Sequence, residues 1–211
     1  MKVIFKKYWR KTSLKKQQDG IFLLNHIKKL APKNVLEIGV FHGVTSRNIC
    51  ELLYKIHGDK FRFTGFDIFE NDDKLLSNEI APKTKFSNPL KNIYYHYIIR
   101  LDPYSYKSVT QLLIKFKKNI NIIKGNSNII LKSLNISDYD YVFLDGGHSY
   151  QTVKNDLNNL SDIILNNGTI ICDDYNLSYA PGVRKAIDEY SLKNDFNLKI
   201  LNERFAEIKK K

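Results

Sequence analysis

The stretch "YDYVFLDGGHSYQTVKNDL" (residues 139–157) decides the fold. A short apolar run climbs to Asp145, turns at Gly146-Gly147, and passes His148 into a segment with Val153 and Leu157 at helical spacing. An apolar run of this length bounded by a glycine turn reads as a buried strand, and the spacing after it as an amphipathic helix. The unit is therefore strand–turn–helix, with an acid and a histidine at the turn.

The same unit recurs outward in both directions. "NVLEI" (34–38) leads through glycines to a helical stripe of Val44, Ile49, Leu52, Leu53 and Ile56 that ends near Gly58. Further strands are expected over 61–69, 119–125 and 169–174. Helices are expected at 21–30, stopped by Pro32, and over residues 153–164, closed by Asn167-Gly168. Another runs over about 182–193, with Pro181 at its start. "FNLKIL" and "FAEIKK" read as a closing pair of strands. Strands alternating with helices imply a parallel sheet covered on both faces. The expected fold class is α/β: a Rossmann-like doubly wound sheet of about seven strands, mostly parallel, with an antiparallel C-terminal strand.

The 211 residues suit one domain, 1–211, with a sizeable core. No apolar run reaches the ~20 residues of a membrane span, and no signal-peptide core follows the N-terminus. Cys50 and Cys172, the two cysteines, both sit in apolar patterns. They are expected to be buried thiols in a reducing cytoplasm. A net charge of +12 fits either an acidic partner or a lysine-rich solvated surface. Residues 1–18 contain one strong cluster of that charge: Lys2, Lys6, Lys7, Arg10, Lys11, Lys15 and Lys16, interleaved with Ile4, Phe5, Tyr8 and Trp9. This segment reads as a basic arm over a substrate or partner, or as a docking helix. Residues 70–107, rich in proline and tyrosine, read as an insertion that is either a substrate lid or a small subdomain with its own filling.

Ligands of doubly wound sheets bind beyond the strands' C-terminal ends, where strand order reverses. The residues there are polar in every case. Glu37, Gly39 and Gly43 follow the first strand; Asp67 ends the second, as a ribose acceptor or a loop cap; Asn126 and Ser127 follow the third, beside a purine or as a helix cap. Asp145 and His148 follow the fourth, and Asp173-Asp174 the fifth. Asp145 and Asp173 stand 28 residues apart, one helix plus one strand, which sets their strands side by side. Three converging carboxylates repel one another and call for a cation, and all-oxygen ligands favour magnesium over zinc.

Together these residues resemble class I S-adenosylmethionine-dependent methyltransferases. The closer likeness is to the metal-dependent O-methyltransferase branch that includes catechol O-methyltransferase and the macrocin and mycinamicin sugar O-methyltransferases. The resemblance spans about residues 20–190. It rests on "VLEIGVFHGVTS", "YVFLDGGHSYQTVKNDL", "GTIICDDY" and "PGVRKAI", the last three being specific in that order. It implies that Glu37, Gly39, Phe41, Gly43 and Thr45 surround the methionine part of S-adenosylmethionine. It further implies that Asp67 binds the ribose, that Asn126 and Ser127 flank the adenine, and that Asp145 reaches both cofactor and metal. Asp145, Asp173 and Asp174 would hold magnesium, and His148 would be the general base, as in the sugar-type enzymes. The implied acceptor is a hydroxyl of a small molecule or carbohydrate, and a homo-oligomer is compatible with it. Three other readings stand beside it: a nucleic-acid methyltransferase, favoured by the charge; an inactive methyltransferase fold that binds a partner through the basic arm; and a metal-dependent sibling that modifies an antibiotic-like scaffold by another reaction.

Overall fold

The computed structural model describes residues 2–69, 84–133, 138–193 and 196–210. Residues 70–83 of the insertion thus lie outside the described residues.

Seven strands form one sheet. They are β1 (Asn34–Ile38), β2 (Arg62–Asp67), β3 (Ile120–Lys124), β4 (Tyr139–Leu144), β5 (Ile164–Cys172), β6 (Phe196–Leu201) and β7 (Phe205–Lys210). Their order is β3-β2-β1-β4-β5-β7-β6. Strands β1 to β5 pair in parallel, and β7 is antiparallel to both β5 and β6. The chain winds outward from β1 to β3 and then returns to β4, so the order reverses between β1 and β4.

The helices that build the layers are α1 (Gln17–Leu30), α2 (Val44–His57), α3 (Pro89–Ile93), α4 (Tyr106–Leu112), α5 (Ser127–Ser133), α6 (Tyr150–Ile163) and α7 (Pro181–Lys193). Alternate strand residues face opposite layers, as a two-sided buried sheet requires. Val35, Phe63, Tyr141, Phe143 and Ile171 pack against Leu23 and Ile27 of α1 and Ile49 and Leu53 of α2. Leu36, Val142, Leu144, Ile170 and Cys172 pack against Leu157 and Leu160 of α6 and Val183 and Ile187 of α7. Both cysteines are buried and unbridged. Among the described residues no helix is long and apolar enough to cross a membrane.

Two expectations need correction. The helix after His148 stops at Ile163, and Asn167-Gly168 does not close it but lies inside β5. The early part of β5 pairs Ile164 with Tyr139, and the register then shifts so that Thr169 meets Tyr141. A bulge of this kind hides a strand start from local pattern, because the polar residues 165–168 read as a turn. Second, of the two readings open for the N-terminal arm, the docking helix is not the one observed: residues 2–16 run as irregular chain, with Tyr8 and Trp9 in left-handed conformations (φ 48 and 64). Phe5 and Leu14 fix this arm in the core. Asn48 of α2 holds the backbone of Lys6 from both sides, accepting from its N–H at 2.9 Å and donating to its carbonyl at 2.8 Å.

Candidate active site

The ends of the central strands are tied to one another by backbone. Asp145 N–H donates to the carbonyl of Ile38 (2.8 Å), Asp173 N–H to that of Leu144 (2.9 Å), and Gly39 N–H to that of Phe66 (2.9 Å). The side chains that follow β1, β2, β4 and β5 therefore start from one level. Gly39 is the tightest point. Its φ is 94, and a Cβ there would stand 1.9 Å from the carbonyl oxygen of Asp145. Only glycine permits that approach, and it sits where the strand order reverses.

Around the β1 turn, Glu37 is fully buried. Ser46 donates its hydroxyl to Glu37 Oε2, while Oε1 is a buried acceptor with no partner among the described residues. Burial, opposed by the Ser46 bond and helped by nearby Asp67, pushes the Glu37 carboxyl up to about 8. Phe41 is left-handed (φ 52), and Gly43 (φ 74) opens α2, whose first turn buries Thr45. Gly39, Phe41 and Thr45 face Lys11, Thr12 and Ser13 of the arm across a narrow gap. The arm is thus part of the wall of this site. Arg10 secures it by donating to the carbonyls of His42, Pro103 and Ser108 at 3.1–3.3 Å.

Asp67 ends β2 as a focus of donors. It accepts from Phe41 N–H at 2.6 Å, from Phe69 N–H at 3.2 Å and from the Tyr104 hydroxyl at 2.8 Å. Burial raises its carboxyl above the ordinary range, against these bonds. Tyr104 was not singled out by sequence, since several tyrosines of its segment were equivalent there. Residues 84–107 pack with the arm: Phe86 stacks on Tyr95 (5.3 Å), and Trp9 meets Tyr94 edge-on (5.3 Å). Asn126 and Ser127 stand at the start of α5. Asn126 caps the turn by accepting from Asn128 N–H (2.9 Å), and Ser127 donates to Asp156 (2.7 Å).

The acids of β4 and β5 do converge. Asp145, Asp173 and Asp174 each offer an oxygen within 4.8 Å of the others. His148 Nε2 lies 3.2 Å from Asp174 Oδ2. Asp145 and His148 with Asp173 and Asp174 line a small cleft together with Leu144, Cys172 and Val183. Burial and the two neighbouring carboxylates raise Asp145 well above the carboxylate range. Asp173, almost wholly buried, rises to about 6, chiefly through burial, with Arg204 working against it.

The expected cation has a counterpart that no sequence motif marks, a side chain of the protein itself. Arg204 donates from Nε to Asp173 Oδ1 (2.5 Å) and from an Nη to Asp173 Oδ2 (2.6 Å). The same Nη lies 3.2 Å from Asp174 Oδ1. Three carboxylates carry more negative charge than one guanidinium, and an all-oxygen donor set still suits a hard divalent ion. Ser13 of the arm donates to Asp145 Oδ2, so the arm touches both halves of the site.

Comparison with known proteins bears on this arrangement. No curated protein matches the chain by sequence. Solved structures share the fold at low identity. The O-methyltransferase NovP superposes with a TM-score of 0.65 at 18% identity, over 90% of this chain and 80% of its own. Podospora anserina methyltransferase PaMTH1, bound to S-adenosylhomocysteine (SAH), gives 0.63 at 15% identity, over 94% and 80%. The TDP-rhamnose 3'-O-methyltransferase CalS11 of calicheamicin biosynthesis gives 0.59 at 14%, over 92% and 79%. Residues 36–175, which run from β1 through the acid cluster, match the sequence profile described as a methyltransferase domain. The chain belongs to the methyltransferase domain family and is an S-adenosylmethionine-dependent methyltransferase.

Proposed function

We propose that the enzyme transfers the methyl group to a hydroxyl oxygen of a small molecule or carbohydrate. The observation that carries this reading is the clustering of Asp145, Asp173 and Asp174 within 4.8 Å, beside His148, in an open cleft. Its neighbours in fold include an enzyme named for methylating a sugar nucleotide, CalS11.

Each residue has a part. Asp67 accepts hydrogen bonds from the ribose hydroxyls in place of the Tyr104 hydroxyl. Glu37 Oε1, buried and with no partner among the described residues, accepts from the cofactor's amino group. The Gly39–Thr45 turn cradles the methionine portion, with Lys11 to Ser13 as its outer wall. Asn126 and Ser127 flank the adenine. S-adenosylmethionine brings a methyl already activated on sulfonium, so positioning supplies much of the acceleration. Asp145, Asp173 and Asp174 would hold a divalent cation such as magnesium, which acts as a Lewis acid and lowers the pKa of the acceptor hydroxyl. His148 takes the hydroxyl proton on an imidazole nitrogen, and Asp174 holds its ring. The segment 84–107 reaches the site where Tyr104 donates to Asp67, and in this reading it acts as a lid when the acceptor binds.

A screen of sugar, sugar-nucleotide and catechol acceptors with labelled cofactor tests this reading. An O-methylated product from one acceptor class is expected. Label transferred only to nucleic acid would replace it with the nucleic-acid reading.

A further inference from the structure

Arg204 has no part in the reaction just described, yet it makes the densest set of charged contacts in the site. Its place is set by the β6–β7 turn. Asn202 and Glu203 are both left-handed (φ 51 and 55), a conformation that non-glycine residues adopt at a cost. The turn is docked by backbone on the loop after β5: Tyr175 N–H donates to the carbonyl of Arg204 (2.9 Å), and Asn176 donates its side-chain amide to that of Glu203 (2.6 Å). The loop that carries Asp173 and Asp174 is thus clamped to the turn that carries Arg204.

The guanidinium points inward. It forms a two-toothed pair with Asp173, reaches Asp174 at 3.2 Å, and is braced behind by Asp19 at 3.2 Å and by the carbonyl of Ser13 at 3.4 Å. Its guanidinium carbon Cζ lies over the Phe205 ring, 5.7 Å from the ring centroid. Planar pairing of this kind is strong and geometrically exact in demand. Both oxygens of Asp173 and one of Asp174 are occupied by it, and these are oxygens that a divalent cation would share.

We propose that Arg204 is a positioning residue that acts as a resident counter-cation of the acid cluster. It holds Asp173 and Asp174 in place when no metal is bound, and it lowers the affinity of the cluster for a divalent ion. Metal binding and the Arg204–Asp173 pair oppose each other, so the site exchanges its metal readily and depends on metal supply. This rests on the metal-assisted reading above.

The test is direct binding of Mn²⁺ to the cofactor-free protein, followed by electron paramagnetic resonance and calorimetry. Arg204→Gln should bind Mn²⁺ at least tenfold more tightly than the parent, and Arg204→Lys should stay closer to the parent. If Arg204→Gln does not fold, Arg204→Met, unbranched and uncharged, carries the same expectation. In the parent itself, saturating Mg²⁺ should shift the NMR signal of the Arg204 Nε–H, which needs no variant to fold. Equal or weaker Mn²⁺ binding by the neutral variants, or an Nε–H signal that Mg²⁺ leaves unmoved, would overturn the proposal while leaving the metal site intact. Failure of parent and variants alike to bind Mn²⁺ at millimolar concentration would instead remove the metal site, and the proposal with it.

Discussion

His148 Nε2 and Asp174 Oδ2 lie 3.2 Å apart across the cleft, joining the turn after β4 to the turn after β5. The pair gives His148 a fixed ring orientation beside the acid cluster, which is what a base for an acceptor hydroxyl needs. His148→Ala is expected to lower turnover by roughly 10²–10⁴-fold, the usual contribution of a positioned base. Affinity for SAH should change little. Turnover near the parent's across pH 6–8 would assign deprotonation elsewhere.

Asp67, the proposed ribose acceptor, allows a separate test of cofactor binding. It accepts from the Phe41 N–H and the Tyr104 hydroxyl. Hydrogen bonds to a charged group contribute about 1.5–3 kcal/mol each. Asp67→Ala should therefore weaken SAH binding at least tenfold in calorimetry, with the acid cluster untouched. Unchanged binding would place the ribose elsewhere.

Gly39 is where the fold and the site make the same demand. Gly39→Ala puts a Cβ against the Asp145 carbonyl at a φ of 94. A loss of at least about 2 kcal/mol in urea unfolding is expected from strain and displacement together. A variant as stable as the parent would mean that the β1 and β4 turns can part freely.

Glu37 gives the protein a pH signature. Its folded pKa of about 8 lies above the ordinary value of 4.5, because burial disfavours the charge. Between those values the unfolded chain has lost the proton that the folded chain retains. Stability contributed by the neutral form is thus full below about pH 4.5 and declines as pH rises towards 8, by roughly 1.4 kcal/mol per unit. Glu37→Gln should flatten that part of the stability–pH curve. An identical slope in parent and variant would show that Glu37 is ionised in the folded state.

Much of this was legible in sequence because the signals were local. Each central strand is a short apolar run bounded by glycine, proline or an acid, and α2, α6 and α7 carry clear apolar stripes. The 28-residue interval from Asp145 to Asp173 correctly implied adjacent strands. What was missed depends on contacts distant in sequence. Arg204 meets Asp173 from a hairpin turn 31 residues away, and Tyr104 meets Asp67 from 37. Neither belongs to a motif. The two readings of the arm could not be separated in sequence, because its burial rests on two anchors, Phe5 and Leu14, too far apart to form a periodic pattern. The start of β5 was hidden because Asn166, Asn167 and Gly168 have turn chemistry but lie in a strand with a shifted register.

The most direct measurement is methyl transfer to the best acceptor from the screen, with the enzyme stripped by chelator and then resupplied with magnesium. The three clustered carboxylates lead to the expectation that turnover falls to background in chelator, returns with Mg²⁺, and stays at background in Asp173→Asn, while SAH binding survives in all cases. Full turnover in excess chelator would contradict the account and leave the acids paired with Arg204 as a structural element.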